Sequence, residues 1–269
     1  MKWTNRIKSV AIGSFDGLHL AHQELIALAE ALVVIERNSG YLTPGFKRTH
    51  FTDRPCFFYL FDKIKSLTPQ AFVTRLQENF PALEKIVVGY DFHFGRAKEG
   101  NASMLRELFD GEVVIVDEVS LGTVPIHSRT IKRYIAEGNI TMANRLLGRE
   151  YVIEGEIVRG QGLGARELVP TLNLRAGHYQ LPLEGVYVSR TKLDEEWFPS
   201  VTFLGHRATT DGSFAIETHI LGRDIGEKEG EVAIAFRAFL RKNQKFDAVD
   251  SLKMQIELDI AQAKAFIDP

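Results

Sequence analysis

The sequence predicts two domains: an α/β domain built on a mainly parallel sheet, then a small antiparallel β-barrel with a terminal helix. Three observations predict this. Apolar runs alternate with helix-periodic segments up to about residue 148, the pattern of a doubly wound sheet with helices on both faces. Beyond Gly148-Arg149 the chain becomes short strand-like runs, several separated by Gly- and Asp-containing turns. A closing apolar segment, from about Ser251 to Ile267, reads as one helix. The expected domains are therefore 1–148 and 149–269.

The first strand is Ser9-Val10-Ala11-Ile12, and a helix carrying Leu25, Ile26, Leu28 and Ala29 follows a tight turn. Ala31 to Ile35 is a buried strand. Glu36 to Pro55 is polar and irregular and predicts no element. Phe57 to Phe61 fits either a strand or the start of a buried helix. Pro69 to Asn79 opens with proline and spaces Phe72, Val73 and Leu76 as a helix does. Lys85 to Val88 and Glu112 to Val116 are strands, with a helix around Ala102 to Leu108 between them. Ser128 to Glu137 is a helix that Gly138 terminates, and Thr141 to Leu147 is a second. In the second domain the strand-like runs are Tyr151–Val158, Gly185–Arg190, Ser200–Phe203, Phe214–Leu221 and Glu231–Leu240.

Composition sets bounds on function. The chain of 269 residues is 45% hydrophobic and 25% charged, ordinary for a globular protein. A formal net charge of −2 gives no general attraction for nucleic acid or anionic membrane, so neither is expected as a partner. The single Cys56 excludes an intramolecular disulfide and a Cys-rich zinc site. There is no apolar run of membrane-spanning length and no signal-peptide h-region, so the expected location is cytoplasmic.

The chemistry is expected at Gly13 to Gln23, GSFDGLHLAHQ. Gly13 and Gly17 let a turn bring backbone N–H groups close to a ligand, and the new helix adds its positive end. His19 and His22, three apart, share a face if both lie in the first helical turn. Two imidazoles there suit charge developing on phosphate; a glycine turn with two surface histidines is the plain alternative. Gly89-Tyr90-Asp91-Phe92-His93-Phe94-Gly95 follows a strand, where open sheets bind ligands. Ile126 to Lys132 opens a helix that Ser128 caps, with Arg129, Lys132 and Arg133 on one basic face. In the second domain Gly160, Gly162 and Gly164 permit a loop to wrap phosphates. Thr171 and Asn173, two apart on one strand face, both reach Mg²⁺ and nucleotide phosphates if that face lines a site.

These motifs resemble those of a known family. Phe15-Asp16-Gly17-x-His19-x-x-His22 resembles the HxGH motif of nucleotidylyltransferases, in the form found in the bacterial bifunctional riboflavin kinase/FAD synthetase family. Ala21 stands where that family has glycine. The loop at Gly89 resembles GxDFxFG, with His93 in place of arginine, and His127 to Lys132 occupies the place of ISSTxxR. Pro170-Thr171-x-Asn173 resembles the PTxN motif of riboflavin kinase, and Glu217-Thr218-His219-Ile220-Leu221 the ExHLL segment with its catalytic glutamate. Val201 to Thr209 departs from the family's GVxNxG, with Phe203 in place of asparagine, and a TFEPHP-like segment is missing near Ile35 to Asn38.

The resemblance implies a Rossmann-like nucleotidylyltransferase domain joined to a riboflavin kinase-like barrel. It implies riboflavin, FMN, FAD and ATP as ligands, with ATP as co-substrate and Mg²⁺ as cofactor. By the same resemblance Glu217, His19 and His22 are catalytic. Gly13, Phe15, Asp16, Gly17, Asp91, Ser128, Lys132, Gly160, Gly162, Gly164, Thr171 and Asn173 bind nucleotide, and Thr171 and Asn173 also hold the metal. Two alternatives stand beside this reading: a riboflavin kinase whose first domain adenylylates poorly, and a flavin- or nucleotide-sensing regulator.

Overall fold

The computed structural model describes residues 6–37, 41–160, 169–207, 209, 211–223, 225–226 and 228–267. The chain divides into two compact units, Met1–Thr130 and Ile131–Pro269. The expected change near residue 148 rests on composition; the compact division falls earlier, inside a helix.

The first unit holds β1 (Ser9–Gly13), α1 (Leu20–Ala27), β2 (Ala31–Glu36), β3 (Cys56–Leu60), α2 (Phe61–Ile64), α3 (Pro69–Asn79) and β4 (Lys85–Gly89). Then come β5 (His93–Phe94), β6 (Gly100–Asn101), α4 (Ala102–Leu108), β7 (Glu112–Val116), β8 (Ser120–Leu121) and β9 (Val124–Pro125). The aromatic run that fitted either state divides: Cys56–Leu60 is strand and Phe61 starts a helix. The main sheet runs β3-β2-β1-β4-β7, with every pairing parallel. All carboxyl ends therefore lie on one edge, where such sheets bind ligands.

Alternation along β1 explains the two layers. Val10 and Ile12 face a core with Val33, Val88, Phe72, Leu76 and Leu105. Ala11 faces the other way, with Leu32, Val34, Val87, Leu25 and Ile26. Each such fully buried aliphatic side chain contributes about 1.5–3 kcal/mol. The α3 N-terminus is capped by Thr68, whose hydroxyl accepts from Ala71 N, with Pro69 at the first helical position.

The helix α5 (Ser128–Ala136) spans the division. The second unit continues with α6 (Ile140–Leu147), β10 (Tyr151–Val158), β11 (Leu172–Ala176), β12 (Gly185–Leu193), β13 (Glu196–His206), β14 (Phe214–Ile220), β15 (Glu231–Lys242) and α7 (Val249–Ile267). The strands close in the order β10-β11-β14-β13-β12-β15. Asn144 of α6 anchors this helix to the barrel: its Nδ2 donates to Phe236 O at 2.8 Å and its Oδ1 accepts from Tyr151 N at 2.8 Å. The barrel interior holds a row of hydroxyls that satisfy one another, as burial requires. Ser189 Oγ lies 2.7 Å from Thr202 Oγ1, and Thr191 Oγ1 lies 2.7 Å from Thr218 Oγ1. The Arg241 guanidinium holds Asp259 of α7 at 2.8–3.1 Å, while Ala263 packs on Val186, Val188 and Val201. No helix among the described residues is long and apolar enough to cross a membrane.

Candidate active sites

In the first unit the loop after β1 is strained. Phe15 (φ 47), Gly17 (φ 91) and Leu18 (φ 40) all occupy the left-handed region, which costs a non-glycine residue about 1–3 kcal/mol. Burial of Phe15 and Leu18 holds the loop in this shape. Asp16 is buried too; its Oδ1 accepts from Leu42 N at 2.8 Å and Thr43 N at 3.1 Å. Its carbonyl accepts from Ser128 Oγ at 2.7 Å. Asp16 thus joins three segments far apart in sequence, and its described contacts are to protein groups. Gly13 ends β1 without a positive φ.

His19 is the N-cap of α1, and its Nδ1 accepts from His22 N at 3.3 Å. The two imidazoles stack at 3.6 Å, 14° from parallel, and Phe15 meets His22 edge-on. His19 is only 3% exposed, so His22 is the half-buried outer member of the pair. Desolvation holds His22 well below the usual imidazole value, and His19, Arg48 and His127 push the same way. A neutral ring results, and its Nδ1 has no hydrogen-bond partner. A neutral imidazole keeps one N–H donor and one acceptor nitrogen.

The segment with no legible element folds beside this loop. Gly45–Phe51 is a 3₁₀ helix, and its Arg48 is wholly buried in an ion pair with Glu36 at the carboxyl end of β2. Arg48 Nη1 also donates to Gly45 O at 3.0 Å, and the guanidinium lies 5.0 Å over the Tyr41 ring. A second cluster, also unforeseen, forms at the loop after β4. Tyr90 Oη donates to Glu118 Oε1 at 2.6 Å, and His127 Nε2 lies 3.2 Å from the same oxygen. That hydrogen bond is the main reason the Tyr90 hydroxyl is pushed up to about 12. The two hydrogen bonds hold Glu118 below the usual carboxylate range. Asp91 is exposed beside them, its carbonyl 2.9 Å from His93 Nδ1. Lys132 lies one turn beyond Ser128 in α5, past the end of the first unit.

In the second unit Asn173 of β11 is the register partner of Glu217 of β14, and Phe203 of β13 is the partner of Glu217 on its other side. Leu172 and Leu174 point into the barrel, so Thr171 and Asn173 take the opposite face, where both are half-buried. His219 Nδ1 lies 2.8 Å from Pro170 O, which steadies the turn carrying Thr171. Gly160 is in close approach: a Cβ there would meet Asn173 Nδ2 at 2.3 Å. Gly162 and Gly164 lie outside the described residues. Between Asn173 and Glu217 sits Arg207. Its Nη2 donates to Asn173 Oδ1 at 2.8 Å and to Glu217 Oε1 at 2.6 Å; its Nε donates to the same Glu217 oxygen at 3.0 Å. Sequence reasoning missed Arg207, because a lone arginine after a strand has no periodicity or spacing to mark it.

No group of three or more His, Cys, Asp or Glu that could hold a metal occurs among the described residues. The hard oxygens of Thr171 and Asn173 nevertheless suit Mg²⁺ carried mainly by nucleotide phosphates and water. In this structure Asn173 Oδ1 accepts from the Arg207 guanidinium.

Comparison with known proteins adds to this geometry. Residues 147–267 match the riboflavin kinase family and residues 52–130 the FAD synthetase family. A bifunctional riboflavin kinase/FMN adenylyltransferase from Listeria monocytogenes is 30% identical, covering 98% of this chain and 94% of that protein. One of the same description from Pseudomonas fluorescens is 28% identical over 96% and 92%. A crystal structure described as a macrolide-efflux protein from Streptococcus pneumoniae is 26% identical, with a TM-score of 0.85 over 98% of this chain and 97% of that one.

Proposed function

The chain belongs to the bifunctional riboflavin kinase/FMN adenylyltransferase family, and from that premise we propose which residues carry each of its two activities. The enzyme phosphorylates riboflavin with ATP to give FMN and ADP, then transfers AMP from a second ATP to FMN, giving FAD and pyrophosphate.

The kinase reaction belongs to the barrel. Glu217 takes the proton of the ribityl 5′-hydroxyl as that oxygen attacks the γ-phosphorus. Thr171 and Asn173 hold the metal-bound phosphates, and His219 keeps their turn in place through Pro170 O. When bound, Mg²⁺ neutralises charge on the phosphate oxygens. The single observation that carries this assignment is the cross-strand pairing of Asn173 with Glu217. The pairing puts the Asn173 amide beside the Glu217 carboxylate, which supports reading them as phosphate contact and base.

Adenylylation belongs to the carboxyl edge of the parallel sheet. The FMN phosphate attacks the α-phosphorus directly, so catalysis is positioning and charge stabilisation. We assign the leading contact to His22, with His19 capping α1 and stacking behind it. Gly13, Phe15 and Gly17 shape the backbone cradle. Asp16 and Ser128 act by tying the cradle to the start of α5. Asp91, from the loop after β4, completes the nucleotide contacts of this unit, and Lys132 is proposed as a nucleotide contact by its place in the motif alone. The proposed location is the cytoplasm, where these substrates are made and used.

The test is purified protein with riboflavin and Mg-ATP, its products resolved by chromatography, alongside Glu217→Ala. The parent forms FMN and FAD. The variant forms neither from riboflavin but still forms FAD from supplied FMN. Loss of both activities in folded Glu217→Ala protein refutes separate sites.

A further inference from the structure

Three acceptors surround the Arg207 guanidinium, and they divide it into two edges. On the outer side Nη1 donates to Ser213 Oγ at 2.7 Å, and Ser213 Oγ in turn donates to Asp211 Oδ1 at 2.7 Å. On the inner side Nε and Nη2 reach Glu217 and Asn173. The Arg207 side chain is 15% exposed and that of Glu217 is 25% exposed, so neither is sealed from solvent. Arg207 therefore stands between the proposed base and the proposed metal-side oxygen.

We propose that Arg207 is a catalytic residue of the kinase reaction, its guanidinium passing from Asn173 and Glu217 to the oxygens of the phosphoryl group in transfer. This rests on the assignment of Asn173 and Glu217 given above. The physical reason begins with Asn173 Oδ1. A guanidinium and a divalent cation repel, so a metal nucleotide held by Asn173 would compete with Arg207 for Oδ1 and would release the guanidinium. The phosphoryl oxygens replace a neutral acceptor by anionic ones, whose geometry matches the planar fork of arginine. The Ser213 contact at Nη1 lets the inner edge move while the outer edge stays anchored. Departure from Glu217 frees Oε1 for the proton it must accept.

The step then balances. The ribityl oxygen forms a bond to the γ-phosphorus as its proton passes to Glu217. The bond from that phosphorus to the β–γ bridging oxygen breaks, and its electron pair leaves with ADP. Arg207 takes no proton and stabilises the charge spread over the equatorial oxygens.

The experiment uses the full chain with Arg207→Ala, Arg207→Lys and Glu217→Gln. The kinase kcat of Arg207→Ala should fall by about 10³-fold, the lower end for a transition-state arginine. The KM for riboflavin should change little. Arg207→Lys should recover only a small part, because lysine lacks the fork. Added guanidinium ion should restore part of the rate to Arg207→Ala and none to Glu217→Gln. A binding readout accompanies these rates. Quenching of riboflavin fluorescence is followed as Mg-ADP or the Mg-β,γ-imido analogue of ATP is added. Riboflavin lacks the phosphate that adenylylation needs, so it reports the kinase site. Arg207→Ala should weaken the analogue at least about tenfold and leave ADP unchanged, since only the analogue carries the third phosphate. FAD formation from supplied FMN should match the parent and serves as the folding control. A parent-like kcat in Arg207→Ala overturns the proposal, as does equal weakening of ADP and analogue; either leaves Arg207 a tether for Asn173. Parent-like kinase activity in Glu217→Gln is a separate failure: it overturns the assignment of the base beneath the proposal.

Discussion

Replacing Gly160 by alanine probes the kinase site through one methyl group. The new Cβ would lie 2.3 Å from Asn173 Nδ2, 2.9 Å from Cγ and 3.2 Å from Oδ1. Ordinary contact begins at 3.4 Å, so the amide must retreat by roughly 1 Å. Gly160 has no positive φ, so its backbone accepts alanine without strain. The atom struck is the end of a side chain, and the clash is relieved by rotating Asn173 off its rotamer at about 0.5–1.5 kcal/mol. Stability therefore changes little, while the oxygen that faces the metal nucleotide is displaced. A misplacement of that size costs about 10²-fold in rate, or about 2.7 kcal/mol of transition-state stabilisation. The assay is steady-state FMN formation from riboflavin, with FAD formation from supplied FMN as the internal control. We expect kcat/KM of the kinase to fall about 10²-fold with the control unchanged. Parent-like phosphorylation by folded Gly160→Ala would refute the placement of Asn173 at the phosphates. Equal loss of both activities would point to a general structural defect.

Three further outcomes follow from the first unit. His22→Ala should slow adenylylation by about 10²–10³-fold and spare the kinase, read with FMN and riboflavin as separate substrates. Because burial holds His22 neutral in the folded protein, the unfolded chain binds a proton there that the native state refuses. Stability from this residue is thus lost as pH falls from about 7 towards 5, and His22→Ala should flatten that slope in urea titrations. Arg48→Ala leaves Glu36 as an unpaired buried charge and should cost about 3–5 kcal/mol in denaturant unfolding, whereas the double change Glu36→Leu/Arg48→Met should recover much of it. A double variant no more stable than Arg48→Ala would show that the loss is one of shape rather than charge.

Periodicity and turn chemistry by themselves determined most of the architecture. The short apolar runs at 31–35 and 86–88 read as strands covered on both faces, and both lie in inner strands of the parallel sheet. Proline at position 69 with Phe72, Val73 and Leu76 set a helix whose observed ends are Pro69 and Asn79. The short motifs GSFDGLHLAHQ, PTLN and ETHIL pointed to the family, which the comparisons show, because each holds its distinguishing residues within a few positions. Other features depended on contacts distant in sequence, which no local pattern records. The sequence from Glu36 to Pro55 has no period, and its described residues are held where Asp16 accepts from Leu42 and Thr43 N–H and Glu36 pairs with Arg48. Tyr90 and Glu118 meet because parallel strands β4 and β7 bring their carboxyl ends to one edge, and the β8–β9 hairpin returns His127 to them. The histidine pair was visible, but its stacking and the neutrality of His22 come from burial. Arg207 is the clearest case. In sequence it is one arginine in a loop, and only closure of the barrel sets Asn173 opposite Glu217 and places that guanidinium between them.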